Sequence, residues 1–210
     1  LNALGGYADL VGKFGDLDEQ QAHFLNRIKE TADKLYRLAG DLVDLAWVEA
    51  GMTLDHEPIE LAHLIREEAD ALADEARQRG VTIVVSTQDP IPSVMGDPRR
   101  VRQMIRALIE NGVRYSFPDA NVAIHAWQDG PQVFCSVGDQ GIGITDEDLP
   151  HIWDRMWRSE DARVRSVPGG GLGLRLVKVI VERLGGQVWV ESVPDGGTTV
   201  TFMLPLAEGW

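Results

Sequence analysis

The chain has 210 residues and a formal net charge of −13, from 33 acidic and 20 basic side chains. This length is enough to bury one or two hydrophobic cores, and the acidic balance argues against broad binding to nucleic acids or anionic membranes. The single cysteine excludes disulfides within the chain and clusters of thiolate metal ligands. No apolar run approaches the length of a membrane span and no signal-peptide pattern opens the sequence, so we expect a reducing, cytoplasmic setting.

Two helices are predicted at the start of the chain, the first over residues 1–12 and the second from Asp16 or Asp18 to about Ala50. Apolar residues recur in the second helix at heptad spacing, namely Ile28, Leu35, Leu38, Leu42 and Leu45, flanked by Ala32, Ala39 and Ala46. Two helices cannot bury this much apolar surface between themselves. The pattern therefore predicts a helical hairpin that dimerises into a four-helix bundle, with packing against the rest of the same chain as the alternative.

After Gly51, which is well placed to end the second helix, helical and extended patterns are mixed. A helix opened by Pro58 and Glu60 is predicted from Leu61 to about Arg79, and further helices are predicted at 98–115, at 146–155 and after the glycines at 169–173. Strands are predicted at 52–54, 81–85, 121–127, 132–138, 187–192 and 198–204. Asp97 and Pro98 form a typical helix start, and Asp129-Gly130 a hairpin turn. We expect an α+β domain over residues 52–210, with helices on one face of a mixed sheet, and a separate helical domain over residues 1–51.

One carboxylate stands at the end of the apolar run 133–138. Asp139 is followed by Gly141 and Gly143, which allow the backbone to turn where a side chain would clash. The pattern predicts an aspartate fixed at the end of a rigid strand, beside backbone that a flat group can approach closely. A strand followed by a tight turn is the alternative.

Three polar side chains share one face of the helix predicted over residues 98–115. Asn111, Arg114 and Tyr115 are spaced i, i+3 and i+4. An amide oxygen is a ligand suited to Mg²⁺, and a guanidinium can bind phosphate oxygens with two nitrogens. The alternative is three ordinary polar residues near a helix end.

The glycine-rich run at residues 169–173 precedes a predicted helix, so its amides form a potential anion site. A dinucleotide-binding fingerprint is excluded, because a charged loop precedes the run and Leu176 occupies the position of the third glycine. A P-loop is excluded because no Gly-Lys-Ser/Thr triplet occurs.

Taken in order, these elements resemble the Bergerat-fold ATPases, specifically the sensor histidine kinases of two-component systems. The similar segments are Glu110 to Ser116 (asparagine box), Asp139 to Ile144 (first glycine box), Ile152 to Arg158 (phenylalanine box), Gly169 to Leu174 (second glycine box), Gly197 to Pro205 (closing strand) and Leu38 to Gly51 (second helix of the phosphotransfer hairpin). The resemblance implies a two-layer α/β sandwich of the Bergerat type that binds ATP and Mg²⁺.

The resemblance also assigns roles to individual residues. Asp139 would accept a hydrogen bond from the adenine amino group, supported by Thr199, while Asn111 would hold Mg²⁺ and Arg114 would act with it in catalysis. The further residues implied in nucleotide binding are Tyr115, Gly141, Gly143, Ile144, Arg158, Gly169, Gly171, Leu172, Gly173 and Leu174. Residues 158–170 would form the ATP lid, a mobile segment hinged by glycines.

The sequence departs from the family pattern at several positions. Trp153 replaces the phenylalanine of its box, Arg114 replaces a common lysine, and Ala107 stands where these kinases usually carry asparagine. Alanine cannot activate water, as the glutamate at that position does in hydrolytic relatives. The family's acceptor histidine is expected directly before Leu1, and none of the five histidines in the sequence has a matching context.

The resemblance implies the core of a histidine kinase that works as a homodimer and in the intact protein phosphorylates its own histidine. The phosphoryl group would then pass to the receiver domain of a response regulator. Since the sequence begins at Leu1, we expect a fragment unable to phosphorylate itself, and the intact protein can still be membrane-anchored. The alternative is a degenerate, non-catalytic nucleotide-binding or scaffold module of the same fold.

Overall fold

Helices α1 (Asn2–Phe14) and α2 (Glu19–Glu49) form the predicted hairpin in the computed structural model, which describes residues 2–49, 54–88, 90–167 and 169–207. Asp18 begins α2: its carboxylate accepts from the Gln21 amide at 2.8 Å, and its own amide donates to the Gln21 side chain at 3.1 Å. This reciprocal pair satisfies two amides at the helix start. Asp18, rather than Asp16, is therefore the cap.

The hairpin presents large apolar side chains to solvent. Those exposed are Tyr7, Leu10, Val11, Phe14, Phe24, Ile28 and Leu35. Two of the predicted heptad positions, Ile28 and Leu35, are thus uncovered in the single chain, while Ala32 is buried. The side chains of Leu38, Leu42 and Leu45 lie outside the described residues, as do Met52 and Thr53 of the predicted short strand. Helix α2 also contacts α6, the helix at Gly173–Arg183.

A five-stranded mixed sheet forms the second part of the chain, and it confirms the predicted fold class. The strands are β2 (Thr82–Thr87), β4 (Asn121–Asp129), β5 (Gln132–Gly138), β6 (Gln187–Val193) and β7 (Gly197–Pro205). Their order is β2-β4-β5-β7-β6; β2 and β4 run parallel and the other neighbours are antiparallel. The predicted Asp129-Gly130 turn joins β4 to β5, with Gly130 at a φ of 58°.

Two short strands were not predicted. β1 (Glu57–Ile59) pairs antiparallel with β3 (Val94–Gly96). Pro58, which we expected to open a helix, lies in β1, and α3 (Leu61–Gln78) begins after it. A proline fits in this small sheet because an edge strand can lack an N–H donor.

Helix α4 (Pro98–Tyr115) packs between α3 and α6 against the sheet. Asp97 caps it as predicted, accepting from the amides of Arg99 and Arg100 at 3.0 and 3.2 Å. The largest fully buried side chains of this layer and the sheet are Leu61, Ile65, Met104, Ile105, Ile109, Ile124, Ile180, Phe202 and Leu204. Each contributes about 1.5–3 kcal/mol by burial. The core therefore fixes the ends of α4 and α6 relative to the end of β5.

The connection from β5 to α6 is less helical than predicted. The helix expected at residues 146–155 is a single 3₁₀ turn, Leu149–His151, and the lid contains a short helix, α5 (Ala162–Ser166). Among the described residues, no helix is both long and apolar enough to cross a membrane.

Candidate functional site

A cavity of ≈ 470 Å³ lies between the C-terminal half of α4, the segment after β5, and the segment leading into α6. Of the residues predicted for the site, those that line it are Asn111, Arg114, Tyr115, Asp139, Gly143, Ile144, Arg158, Gly169, Gly171, Leu172, Gly173 and Leu174. The structure thus brings together motifs that are separated by up to about sixty residues in the sequence. Gly141 and Thr199 are the two predicted residues outside this lining.

Thr198, rather than Thr199, lies beside Asp139. The Thr198 amide donates to the Asp139 carboxylate at 3.2 Å, and Thr198 lines the cavity. Thr199 pairs with Gly138 in the sheet, and successive residues of a strand point to opposite faces. The sequence carries no local signal that separates these two adjacent threonines; in the structure Val200, two residues after Thr198, also lines the cavity.

The Asp139 carboxylate is mostly removed from water. Burial raises its pKa from 3.8 to about 6, and hydrogen bonds from the amides of Thr198 and Gly141 lower it only in part. A second hydrogen bond joins the same two residues, because the Asp139 amide donates to the Thr198 carbonyl at 2.8 Å. Asp139 is therefore a fixed hydrogen-bond acceptor at the end of β5, as predicted from its position.

Two glycines after β5 occupy places where any side chain would collide. Gly143 has a φ of 65°, and a Cβ there would overlap the Val193 carbonyl at the end of β6. Gly141 forms a bridge with Ser116 after α4, and a Cβ there would overlap the Tyr115 carbonyl. Gly141 thus acts through this close backbone approach, because it is not part of the cavity lining.

The polar face of α4 meets the beginning of α6. A Cβ at Gly173 would lie 3.6 Å from Nδ2, the side-chain nitrogen of Asn111, so the first turn of α6 runs beside this side chain. Arg114, one turn further along α4, is paired with Glu110 at 2.6 Å. An amide oxygen, a guanidinium and the amides at a helix start suit a hydrated Mg²⁺ and phosphates. The donors present therefore fit Mg²⁺ bound together with a nucleotide.

The lid is organised by one arginine. Arg158 donates to the carbonyl oxygens of Val164, Val167 and Gly169, the last two at 2.6 and 3.0 Å. A second arginine, Arg163, joins the lid to the β6–β7 turn through a 2.6 Å ion pair with Asp195. Arg158, Val164 and Gly169 also line the cavity, so these contacts fix the lid as part of the cavity wall.

Comparison with known proteins agrees with the predicted family. The sequence model of the family described as "Histidine kinase-, DNA gyrase B-, and HSP90-like ATPase" matches residues 96–208. The circadian input-output histidine kinase CikA of Synechococcus elongatus is 30% identical over 91% of this chain and 26% of its own length. This chain therefore spans about a quarter of the length of that curated relative.

Solved structures are similar as well. The structure of full-length ShkA in complex with AMPPNP has a TM-score of 0.82 and 26% identity, covering 99% of this chain and 43% of that one. Histidine kinase ThkA in complex with the response regulator protein TrrA has a TM-score of 0.72 at 20% identity, over 98% of this chain and 57% of that one, which shows the common fold. Since the family match covers more than half of the sequence, the chain belongs to the histidine kinase-, DNA gyrase B- and HSP90-like ATPases, as a catalytic domain of the sensor histidine kinase type.

Proposed function

We propose that this chain is the catalytic core of a protein histidine kinase, which binds ATP with Mg²⁺ and transfers the γ-phosphoryl group to a histidine. The observation that carries the proposal is one cavity whose lining includes Asp139 together with Asn111, Arg114 and the start of α6. A buried acceptor suited to a base and donors suited to phosphates thus line the same cavity. A nucleotide has both kinds of group.

The residues have distinct tasks in this proposal. The Asp139 carboxylate accepts a hydrogen bond from the adenine amino group, and Gly143 lets the base lie against backbone. Arg114 and the amides at the start of α6 neutralise phosphate charge. The Asn111 amide oxygen would hold Mg²⁺, which supplies further charge neutralisation when it is bound. Catalysis is then positioning and electrostatic stabilisation of an in-line transfer, in which a bond from the histidine nitrogen to the γ-phosphorus forms and ADP leaves.

The acceptor is proposed to lie upstream of Leu1, on the first helix of the hairpin. All five histidines of the sequence are described, and none of them lines the cavity. His23 is exposed and lies on α2, the second helix. We propose that the phosphoryl group passes from the acceptor to the receiver domain of a response regulator, the kind of partner that the ThkA–TrrA structure contains.

Homodimerisation through residues 1–51 is part of the proposal, with residues 52–210 as the ATP-binding domain. Its support is the row of exposed apolar side chains on α1 and α2, including Phe14, Phe24 and Ile28. A second hairpin packed on this row would remove them from water. Helix α2 also contacts α6 of the same chain, so the molecular mass in solution is the direct measurement of dimerisation.

Phosphoryl transfer in trans tests the proposal. The chain is incubated with γ-labelled ATP and Mg²⁺ together with a longer form that includes the acceptor helix but carries Asn111→Ala, so that this form supplies only the histidine. Acid-labile, base-stable label on the longer form is the expected result. ATP binding without transfer would instead support the non-catalytic scaffold, and stable label on His23 would contradict the assignment of the acceptor.

A further inference from the structure

An ion pair on α4 lies inside the cavity rather than on the surface. Arg114 Nη2 and Glu110 Oε2 are 2.6 Å apart, with side chains 17% and 23% exposed, and both residues line the cavity. Two other i, i+4 pairs, Arg79–Glu75 and Lys178–Glu182, are longer, at 3.8 and 3.9 Å, and more exposed. The Glu110–Arg114 pair is therefore short and sheltered from solvent screening.

Glu110 has a second arginine one turn before it, but that arginine is held elsewhere. Arg106 donates its Nε to Glu68 of α3 at 2.8 Å, and Glu68 is almost fully buried. The same carboxylate binds Arg102 at 2.7 Å. Helix α3 thus fixes Arg106, which leaves the Glu110 carboxylate to bind Arg114.

The arginine keeps donors available for a ligand. A guanidinium has five N–H donors in a planar fork, and the pair with Glu110 engages Arg114 through Nη2. An unpaired arginine samples many rotamers and loses that freedom when it binds a ligand, which weakens binding. A carboxylate that already restricts the guanidinium removes part of this loss before the ligand arrives.

We propose that Glu110 is a positioning residue, which holds the Arg114 guanidinium at the cavity wall so that its remaining N–H groups bind the nucleotide phosphates. This inference rests on the proposed function, because it takes the ligand to be a nucleotide. It assigns to the residue directly before Asn111 a role that neither the family match nor the sequence motif assigns.

Comparing ligands with and without phosphates tests this role. Dissociation constants are measured by calorimetry for AMPPNP with Mg²⁺ and for adenosine, on the wild-type chain, Glu110→Ala, the isosteric Glu110→Gln and Arg114→Ala. The ordering of one arginine corresponds to a change of about three- to tenfold in the dissociation constant. We expect Glu110→Ala to weaken AMPPNP binding by that factor, Glu110→Gln by less, and neither to change adenosine binding.

Two controls separate positioning from general damage. Glu67→Ala removes another glutamate paired with an arginine at 2.6 Å, between α3 and α4 and outside the cavity lining, and it should leave both dissociation constants unchanged. In the Arg114→Ala background, Glu110→Ala should add no further loss, since the residue acts through Arg114.

The outcomes distinguish this inference from the proposed function. If the wild-type chain binds no AMPPNP, the proposed function itself fails. If the wild type binds but Glu110→Ala binds AMPPNP equally or more tightly, the carboxylate does not assist phosphate binding and the positioning role is wrong. An equal loss of adenosine and AMPPNP affinity would show a disturbed fold and would also overturn the positioning role.

Discussion

Replacing Asp139 by asparagine should stabilise the nucleotide-free protein while weakening adenine binding. The substitution keeps the shape of the side chain and an oxygen that can accept from the Thr198 amide, but it removes a charge that burial disfavours. The pKa of Asp139 is raised from 3.8 to about 6, which corresponds to at most about 3 kcal/mol at neutral pH. We expect Asp139→Asn to raise the free energy of unfolding at pH 7 by about 1–3 kcal/mol.

The sign of the pH dependence follows from the direction of the pKa change. Because the folded chain binds this proton more readily than the unfolded chain, the stability of the wild type relative to Asp139→Asn rises as the pH falls from about 7 to about 4. Asparagine does not titrate, so the difference between the two proteins isolates this carboxyl group. The advantage of the variant should be largest at pH 7 and close to zero below about pH 4.

Urea unfolding of both proteins without nucleotide, at several pH values between 4 and 7, measures this difference. Asp146→Asn is the control, since Asp146 is exposed in the loop that follows the same glycines, and it should not change the stability by more than about 0.5 kcal/mol. A stability difference that does not vary with pH, or a variant less stable than wild type at pH 7, would refute the assignment of a buried, mostly ionised Asp139.

Three further predictions concern the same cavity. Nucleotide affinity, measured by calorimetry, should fall as the pH drops below about 6, because the protonated Asp139 accepts less well from the adenine amino group. Gly143→Ala should lower the melting temperature and abolish nucleotide binding, because a Cβ would overlap the Val193 carbonyl at a φ of 65°; calorimetric scanning and a binding titration check it. Arg163→Ala should leave the unfolding free energy nearly unchanged, since its pair with Asp195 is exposed, but should speed nucleotide release, measured by stopped-flow displacement.

Helix α4 could be predicted from the sequence to the residue because its signals are local. Asp97 and Pro98 define its start, and its buried side chains, such as Ile105 and Ile109, follow the period of a helix. The strands β1 and β3 could not be predicted in this way. Each has three residues, too few to show a period of two, and the pairing of Glu57 with Gly96 joins positions far apart in the chain.

The site was predictable where its residues share one element and less so where they depend on pairing. Asn111, Arg114 and Tyr115 line the cavity because helical spacing alone places them on one face. The choice between Thr198 and Thr199 is different, because two adjacent threonines give no local signal. The register of β7 against β5, in which Thr199 pairs with Gly138, decides which of them faces Asp139.

The lid shows how order can arise in a segment whose composition indicates mobility. Residues 158–167 are mostly polar, and they bury little apolar surface that could fix them. Arg158 supplies the missing interactions, since its guanidinium donates to carbonyl oxygens within and after α5, at Val164, Val167 and Gly169. These bonds use both Nη2 hydrogens and one Nη1 hydrogen, whereas the buried Arg158 Nε has no hydrogen-bond partner among the described residues. The prediction that Arg158 binds nucleotide therefore depends on the Nε–H and the second Nη1–H, and phosphate binding there is compatible with the lid conformation seen here.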